Sequence, residues 1–259
     1  MGIGDTRGSH VKQIIVVLAV VLLASVALAA PVAEVSFSDS PKGYKMVTHE
    51  GRTFGLAFEK NMEKFAADDL TDPRRGLIVF TGSSTFTGWS TLKSDMAPLP
   101  VVNRGFGGSN SAQLWWYADR AVLPRRPKLI VVYIGDNDMP QADVTIENYM
   151  KYVRLFLERV WEQNPKTRLI LVSNKPSPSR WKLWDKYQAS NKALQELCAA
   201  DERLTYVDIT PTLLDAQGQV RPECFKEDML HLKAETYVEW TKVIKPVVER
   251  VWGEIAGAE

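Results

Sequence analysis

The sequence predicts an α/β fold in which helices cover both faces of a parallel sheet. Five short apolar runs recur along the 259 residues, and segments with helical spacing lie between them. Continuous apolar runs are typical of strands that are buried on both faces, and strands that alternate with helices are typical of a parallel sheet. A composition of 45% hydrophobic and 24% charged residues fits a single globular domain and excludes a disordered or multi-span membrane chain.

The predicted strands are the apolar runs, each followed by polar or turn-forming residues. They lie at residues 77–80, 101–103, 129–134, 169–172 and 204–209. Helical spacing covers residues 54–70, 111–121, 145–163, 184–200 and 233–255. Thr145 is suited to cap the third helix, and Asn164-Pro165 to end it. Pro246 is expected to kink or divide the last helix.

The N-terminal segment is predicted to be a signal peptide over residues 1–29. Arg7 and Lys12 precede an apolar run at residues 14–23, and Ala27-Leu28-Ala29 has the small-x-small pattern of a cleavage site. We therefore expect a protein that is exported, to the periplasm or the medium, after cleavage near Ala29. An uncleaved membrane anchor is the alternative, because residues 14–30 reach the lower length limit of a span. Residues 30–52 are polar and mixed, and we expect an extended lead-in there.

The net charge argues against nucleic-acid binding, and the two cysteines argue against a zinc or redox motif. The chain has 32 Lys and Arg against 31 Asp and Glu, a net charge of +1, so it lacks the basic footprint of a nucleic-acid-binding protein. Cys198 and Cys224 do not have the spacing of a zinc or redox motif. In an exported protein they could form one disulfide, or they could remain two separate thiols.

Three polar motifs follow the first three predicted strands. They are Gly82-Ser83-Ser84, Gly105-Phe106-Gly107-Gly108 and Gly135-Asp136-Asn137. In open α/β sheets, ligands bind beyond the carboxyl ends of the strands, so these loops are expected to meet in one crevice. A serine, backbone N–H groups and an asparagine at one place suggest a nucleophile with an oxyanion hole. The glycine run is not G-x-G-x-x-G and no P-loop lysine follows it, which argues against a nucleotide site.

A serine nucleophile needs a base, and the chain has three histidines. His10 lies in the predicted leader and His49 in the lead-in. His231 follows Asp228 by three residues, so the carboxylate could orient the imidazole. His231 is therefore the best-placed base. The chain contains no G-x-S-x-G nucleophile elbow.

Four segments together resemble the four sequence blocks of the SGNH (GDSL-like) hydrolase family, in the family's order: FTGSSTFTGW, NRGFGGS, YIGDND and EDMLHL. The resemblance runs from about Phe58 to the C-terminal helix, within a predicted domain of residues 53–259. The resemblance implies a flavodoxin-like three-layer α/β/α sandwich with a five-stranded parallel sheet. It assigns Ser84, Asp228 and His231 to a catalytic triad, and the N–H groups of Ser84 and Gly108 with the Asn137 amide to the oxyanion hole. Ser83 stands where the family most often has Asp, which leaves the local hydrogen bonding open.

The resemblance also implies an activity: hydrolysis of carboxylic esters through an acyl-enzyme, without a metal or another cofactor. We expect small acyl groups such as acetyl, on a small molecule or a carbohydrate. The alternatives are a lysophospholipase or thioesterase type of acylhydrolase, and a catalytically silent binding module with the same fold.

The loop after the fourth strand holds the candidate substrate-binding residues Lys175, Arg180 and Trp181, with Trp184 beyond them. Aromatic and basic groups together could bind a sugar ring or an anionic ester. Tryptophans elsewhere, at positions 89, 115 and 116, could serve the same purpose or could simply pack in the core.

Overall fold

The computed structural model describes Met1 and residues 34–258 and centres on a five-stranded parallel sheet. The described residues form eight strands: β1 (Val35–Asp39), β2 (Lys45–His49), β3 (Arg52–Leu56), β4 (Ile78–Gly82), β5 (Val101–Gly105), β6 (Leu129–Tyr133), β7 (Arg168–Val172) and β8 (Leu204–Val207). The parallel sheet has the order β5-β4-β6-β7-β8. Counted along the sheet's own strands this is 2-1-3-4-5, the flavodoxin-like order, and it confirms the predicted fold class.

Helices cover both faces of this sheet. They are α1 (Glu59–Thr71), α2 (Ser84–Thr87), α3 (Leu92–Asp95), α4 (Ser111–Ala121), α5 (Ile146–Gln163), α6 (Trp184–Ala199) and α7 (Ala234–Gly257). Successive strand residues point to opposite faces, so Ile130 and Val132 pack against α1, α4, α5 and α6, whereas Leu129 and Val131 pack against α2, α3 and α7. Two apolar cores thus enclose a sheet that is buried on both faces, as its apolar runs predict.

Most helix ends agree with the predicted ones. The Thr145 side chain accepts the Asn148 N–H at 3.1 Å and caps α5, which ends before Asn164. Of the two outcomes expected at Pro246, a kink or a division, the division does not occur, because α7 continues through this residue. Ile244 and Val248 on either side are fully buried, and their packing holds the helix together where the proline lacks an N–H donor.

The predicted lead-in contains a three-stranded antiparallel sheet of β1, β2 and β3. Glu50 and Gly51, both with positive φ, form the two-residue turn between β2 and β3 that right-twisted hairpins favour. The predicted domain boundary at residues 52 and 53 falls inside β3. The first predicted helix begins at Glu59 and not at residue 54, because Phe54 pairs with Val47 across the hairpin.

The predicted signal peptide falls almost wholly on residues 2–33, which lie outside the described part of the chain. Within residues 34–258, no helix has the length and hydropathy needed to cross a bilayer. Cleavage and export therefore stay predictions.

Both cysteines are free thiols. Cys198 packs against the core on the α5 and α6 face of the sheet, and Cys224 lies in the core on the α7 face. The sheet separates them, so the disulfide that the sequence left open is not formed. Burial raises the pKa of the Cys198 thiol to about 12, which keeps it protonated and unreactive.

Candidate active site

The first polar motif places two serines at the end of β4. In the sheet, Gly82 pairs with Gly105 of β5 and with Tyr133 of β6, so all three polar loops leave the sheet at one level. Ser83 is fully buried, and its hydroxyl has no hydrogen-bond partner among the described residues. Ser84, the first residue of α2, is partly exposed. Of the two serines, only Ser84 can meet a substrate.

A continuous hydrogen-bond chain joins Ser84, His231 and Asp228. His231 Nε2 lies 3.0 Å from Ser84 Oγ, and His231 Nδ1 lies 2.5 Å from Asp228 Oδ2. The other carboxylate oxygen accepts the backbone N–H groups of Leu230 and His231, each at 2.9 Å. These hydrogen bonds, that of the imidazole first, hold the pKa of Asp228 well below its usual range.

The ionised carboxylate fixes the tautomer of the histidine. A carboxylate can only accept hydrogen bonds, so His231 Nδ1 must carry the proton it shares with Asp228. In the neutral imidazole this leaves Nε2 as an acceptor, facing the Ser84 hydroxyl. The arrangement can therefore remove the proton from Ser84 when the hydroxyl attacks a carbonyl carbon.

The second polar loop passes beside Ser84. Phe106 N–H and Ser109 Oγ both donate to the carbonyl of Gly82, at 2.9 and 3.2 Å, which ties this loop to the end of β4. Gly108 has a φ of +88°, a conformation that favours glycine. Within the described residues, the N–H groups of Ser84 and Gly108 donate to no other group, so both remain available to an oxyanion.

The third loop contributes Asn137, whose amide is held from both sides. Its Nδ2 donates to the carbonyl of Ser109 at 3.0 Å, and its Oδ1 accepts from Arg180 Nη2 at 3.2 Å. An amide nitrogen carries two hydrogens. The hydrogen that Ser109 does not accept is the one that can reach an oxyanion.

A buried charge cluster lies on one side of Asn137. Asp136 accepts hydrogen bonds from Lys175 Nζ, from Arg180 Nη1 at 2.7 Å, and from the hydroxyls of Tyr133 and Tyr187, each at 3.2 Å. Burial alone would raise the pKa of Asp136, but the two cations outweigh it and hold the pKa below its usual value. Lys175 is itself buried and committed to this ion pair. The expectation that Lys175 binds substrate is therefore wrong.

A second buried ion pair lies on the other side of Asn137. Asp138 accepts from Arg52 Nη2 at 2.7 Å and from the hydroxyl of Ser111 at 2.5 Å, and Arg52 Nη1 donates to the same hydroxyl at 3.0 Å. Arg52 belongs to β3, so the small antiparallel sheet reaches the loop that carries Asn137. Sequence reasoning missed this contact, because nothing in the polar lead-in marks Arg52 as a buried residue.

The remaining candidates from the sequence fall into two groups. Trp181 stacks on Trp184, with ring centroids 5.9 Å apart and planes 12° apart, and both rings are partly exposed. Their segment is tied to the loop that carries Asp228 and His231, since Ser179 N–H donates to the carbonyl of Met229 at 3.1 Å. Three other tryptophans, at positions 89, 115 and 116, pack in or against the cores.

His49 lies apart from the three polar loops. The Tyr152 hydroxyl donates to its carbonyl at 2.8 Å and lies 3.1 Å from its Nδ1, in a buried site beside Trp115. Among the residues that the structure describes, no cluster of three or more His, Cys, Asp or Glu side chains could hold a metal ion.

Known proteins resemble this chain in sequence and in fold. The sequence profile of the GDSL-like Lipase/Acylhydrolase family matches residues 68–238. The platelet-activating factor acetylhydrolase IB subunit alpha1 of Pongo abelii is 24% identical over 175 residues, which are 65% of this chain and 71% of that protein. A GDSL-like lipase from Bacteroides thetaiotaomicron superposes with a TM-score of 0.65 and 21% identity, over 74% of this chain and 98% of that one. A mutant of an acetyl-xylooligosaccharide esterase from Geobacillus superposes with a TM-score of 0.52 and 14% identity, over 66% of this chain and 93% of that one.

Proposed function

Because the chain belongs to the GDSL-like lipase/acylhydrolase family and is therefore a hydrolase of ester bonds, we propose that it is a serine esterase that forms an acyl-enzyme on Ser84. The observation that carries the proposal is the unbroken chain of hydrogen bonds from Ser84 through His231 to Asp228. A catalytically silent binding module would have no use for a serine hydroxyl that is both exposed and bonded to an imidazole oriented by a carboxylate.

In the first half of the proposed reaction, His231 Nε2 takes the proton of Ser84 while Oγ attacks the ester carbonyl. The carbonyl oxygen becomes an oxyanion, which the N–H groups of Ser84 and Gly108 and the second N–H of Asn137 Nδ2 stabilise. One such donor is worth about 3–4 kcal/mol in related chemistry. Asp228 stabilises the imidazolium, and His231 then gives its proton to the leaving alcohol.

In the second half, a water molecule replaces the alcohol. His231 takes one proton from the water, hydroxide attacks the acyl carbon, and the carboxylic acid leaves as the proton returns to Ser84 Oγ. In each half of the reaction, His231 accepts one proton and gives it back. Overall, one ester and one water molecule give one carboxylic acid and one alcohol. His231 is partly exposed, so water can reach its imidazole for this step.

For the substrate, we propose small acyl groups such as acetyl, on a small molecule or a carbohydrate. Two supports come from the similar proteins, whose names include an acetylhydrolase and an acetyl-xylooligosaccharide esterase. A third is the stacked pair of Trp181 and Trp184, which lies beside the loop of Asp228 and His231, since flat aromatic surfaces suit the apolar face of a sugar ring. A lysophospholipase or thioesterase type of activity is the alternative that a substrate panel would reveal.

A fluorophosphonate probe tests the proposed nucleophile directly. We expect the wild type and Ser83→Ala to be labelled and Ser84→Ala to remain unlabelled. Equal labelling of Ser84→Ala would contradict the acyl-enzyme mechanism. A panel of p-nitrophenyl esters from acetate to longer acyl chains, run beside acetylated xylo-oligosaccharides, tests the substrate class. A rate that rises with chain length would contradict the preference for acetyl.

We also propose that the protein is exported after cleavage near Ala29, on the evidence of the basic start, the apolar run and the small-x-small site. Mass spectrometry of the mature N-terminus in the producing cell tests this. An intact Met1 in a membrane fraction would favour an anchor instead.

A further inference from the structure

The geometry points to Arg180 as a positioning residue that sets the orientation of the Asn137 amide in the oxyanion hole, an inference that rests on the proposed esterase function. From the sequence, Arg180 is predicted to bind substrate. In the structure its guanidinium faces the protein: Nη1 donates to the carbonyl and carboxylate of Asp136, and Nη2 donates to Asn137 Oδ1. Only 19% of the Arg180 side chain remains exposed.

An asparagine side chain needs such a partner before it can serve an oxyanion. The two ends of an amide are similar in shape, and a half-turn exchanges a donor for an acceptor. With Oδ1 in the hole, Asn137 would repel the developing negative charge. A guanidinium has donors and no acceptor, so the atom that faces Arg180 must be Oδ1, and Nδ2 must face the carbonyl of Ser109 and the hole.

The position of Arg180 is in turn fixed by the buried carboxylate of Asp136. This charge is shared between two cations, the fully buried Lys175 and the partly exposed Arg180. The planar fork of an arginine can bond two acceptors on neighbouring residues at once, which the point charge of a lysine ammonium cannot do with the same geometry. Loss of Arg180 leaves the ion pair of Asp136 and Lys175 in place, so the cluster retains a counterion.

A double-mutant cycle on the full-length protein tests the inference, with p-nitrophenyl acetate as a neutral substrate. Removal of an oxyanion donor by Asn137→Ala is expected to lower kcat by about 10²–10³-fold. Arg180→Met should lower kcat by a smaller factor, about 10–100-fold, with KM nearly unchanged, because it misorients a donor without removing it. When Asn137 is already alanine, adding Arg180→Met should lower kcat by a further factor of less than about three, because both changes act through the same amide.

Two further variants support the cycle. Arg180→Lys retains a cation against Asp136 and should fall between the wild type and Arg180→Met; if Arg180→Met does not fold, the same cycle is run with Arg180→Lys. Lys182→Ala is the matched control, since Lys182 is an exposed cation in the same 3-10 helix, Pro178–Leu183. Its kcat and KM should equal those of the wild type.

Three outcomes would overturn the inference: a normal kcat in Arg180→Met, an equal loss of kcat with and without Asn137, or a rise in KM confined to anionic esters. The last would return Arg180 to the substrate-binding role. The fluorophosphonate probe separates failure of this inference from failure of the proposed function. If the proposed function is wrong, Ser84→Ala should still be labelled. If Ser84→Ala is unlabelled and Arg180→Met is unimpaired, only the positioning role is wrong.

Discussion

The candidate site has a base side, formed by Asp228 and His231, and an oxyanion side, formed around Asn137. The two sides are built in opposite ways. Asp228 and His231 lie three residues apart in one loop, and their side chains are 49% and 37% exposed. On the oxyanion side, Asp136 and Asp138 are buried, and their cations lie far along the chain: Lys175 is 39 residues from Asp136, and Arg52 is 86 residues from Asp138.

Because of this difference, we expect substitutions on the two sides to affect catalytic activity and folding stability differently. Exposed ion pairs contribute about 0–1 kcal/mol to folding, whereas removal of one partner of a buried pair costs about 3–5 kcal/mol. Changes on the base side should therefore remove activity from a protein that stays folded. Changes around Asn137 should affect the fold and the rate together.

The largest expected effect on activity comes from His231→Ala. The variant loses the only base in reach of Ser84 among the described residues, and kcat should fall at least about a thousandfold. Thermal unfolding should change little, because the side chain is partly exposed. Steady-state kinetics and circular dichroism on one sample test both halves of the claim. Full activity would mean that the proton goes to another base.

Asp228→Asn should have the next largest effect. A buried triad aspartate is worth about 10⁴ in kcat, and we expect a smaller loss of about a hundredfold here, because the exposed side chain shares its role with water. In the wild type, the hydrogen bonds from the imidazole and from two backbone N–H groups hold the pKa of Asp228 well below its usual range, so the carboxylate is ionised at neutral pH. Steady-state kinetics of both proteins at neutral pH test the prediction, and an unchanged kcat in Asp228→Asn would contradict it. His49→Ala is the control that should keep the wild-type kcat.

Arg52→Met sharpens the comparison from the other side. It leaves the Asp138 carboxylate buried without its cation, so the free energy of unfolding should fall by about 3–5 kcal/mol. The matched control is Arg159→Met, which removes exposed ion pairs with Asp119 and Glu162, each expected to contribute about 0–1 kcal/mol. Urea denaturation compares the two variants. Equal midpoints would show that burial does not govern these pairs. We expect kcat to fall in Arg52→Met as well, by less than in Asp228→Asn.

The smallest effect is predicted for Ser83→Ala. The Ser83 hydroxyl is buried without a partner among the described residues, so its removal deletes no hydrogen bond. Replacing such a hydroxyl is neutral or slightly stabilising. Activity should stay close to that of the wild type, and the melting temperature should be equal or higher. A large loss of kcat would show that Ser83 takes part in the reaction.

The sequence predicted what is local. The five apolar runs predicted the parallel sheet because a strand that is buried on both faces is marked by its own continuous run of apolar residues. Asp228 and His231 could be paired on paper because they share one turn. The antiparallel sheet escaped prediction because all five residues of β1 are exposed, so no apolar run marks it. Lys175 was misassigned because a lysine in a loop normally points to water. Only the fold shows that this lysine is buried in an ion pair with Asp136.

The antiparallel sheet and the end of α7 both bear on how far this chain can be shortened. The family profile matches residues 68–238, yet Arg52 lies before that span, and Val248 and Val251 in the core against the sheet lie after it. A fragment trimmed to the matched span would keep every residue of the hydrogen-bonded triad. It would lose the counterion of Asp138 and about five of the turns of α7, so we expect the matched span to depend for its folding on both of its flanks.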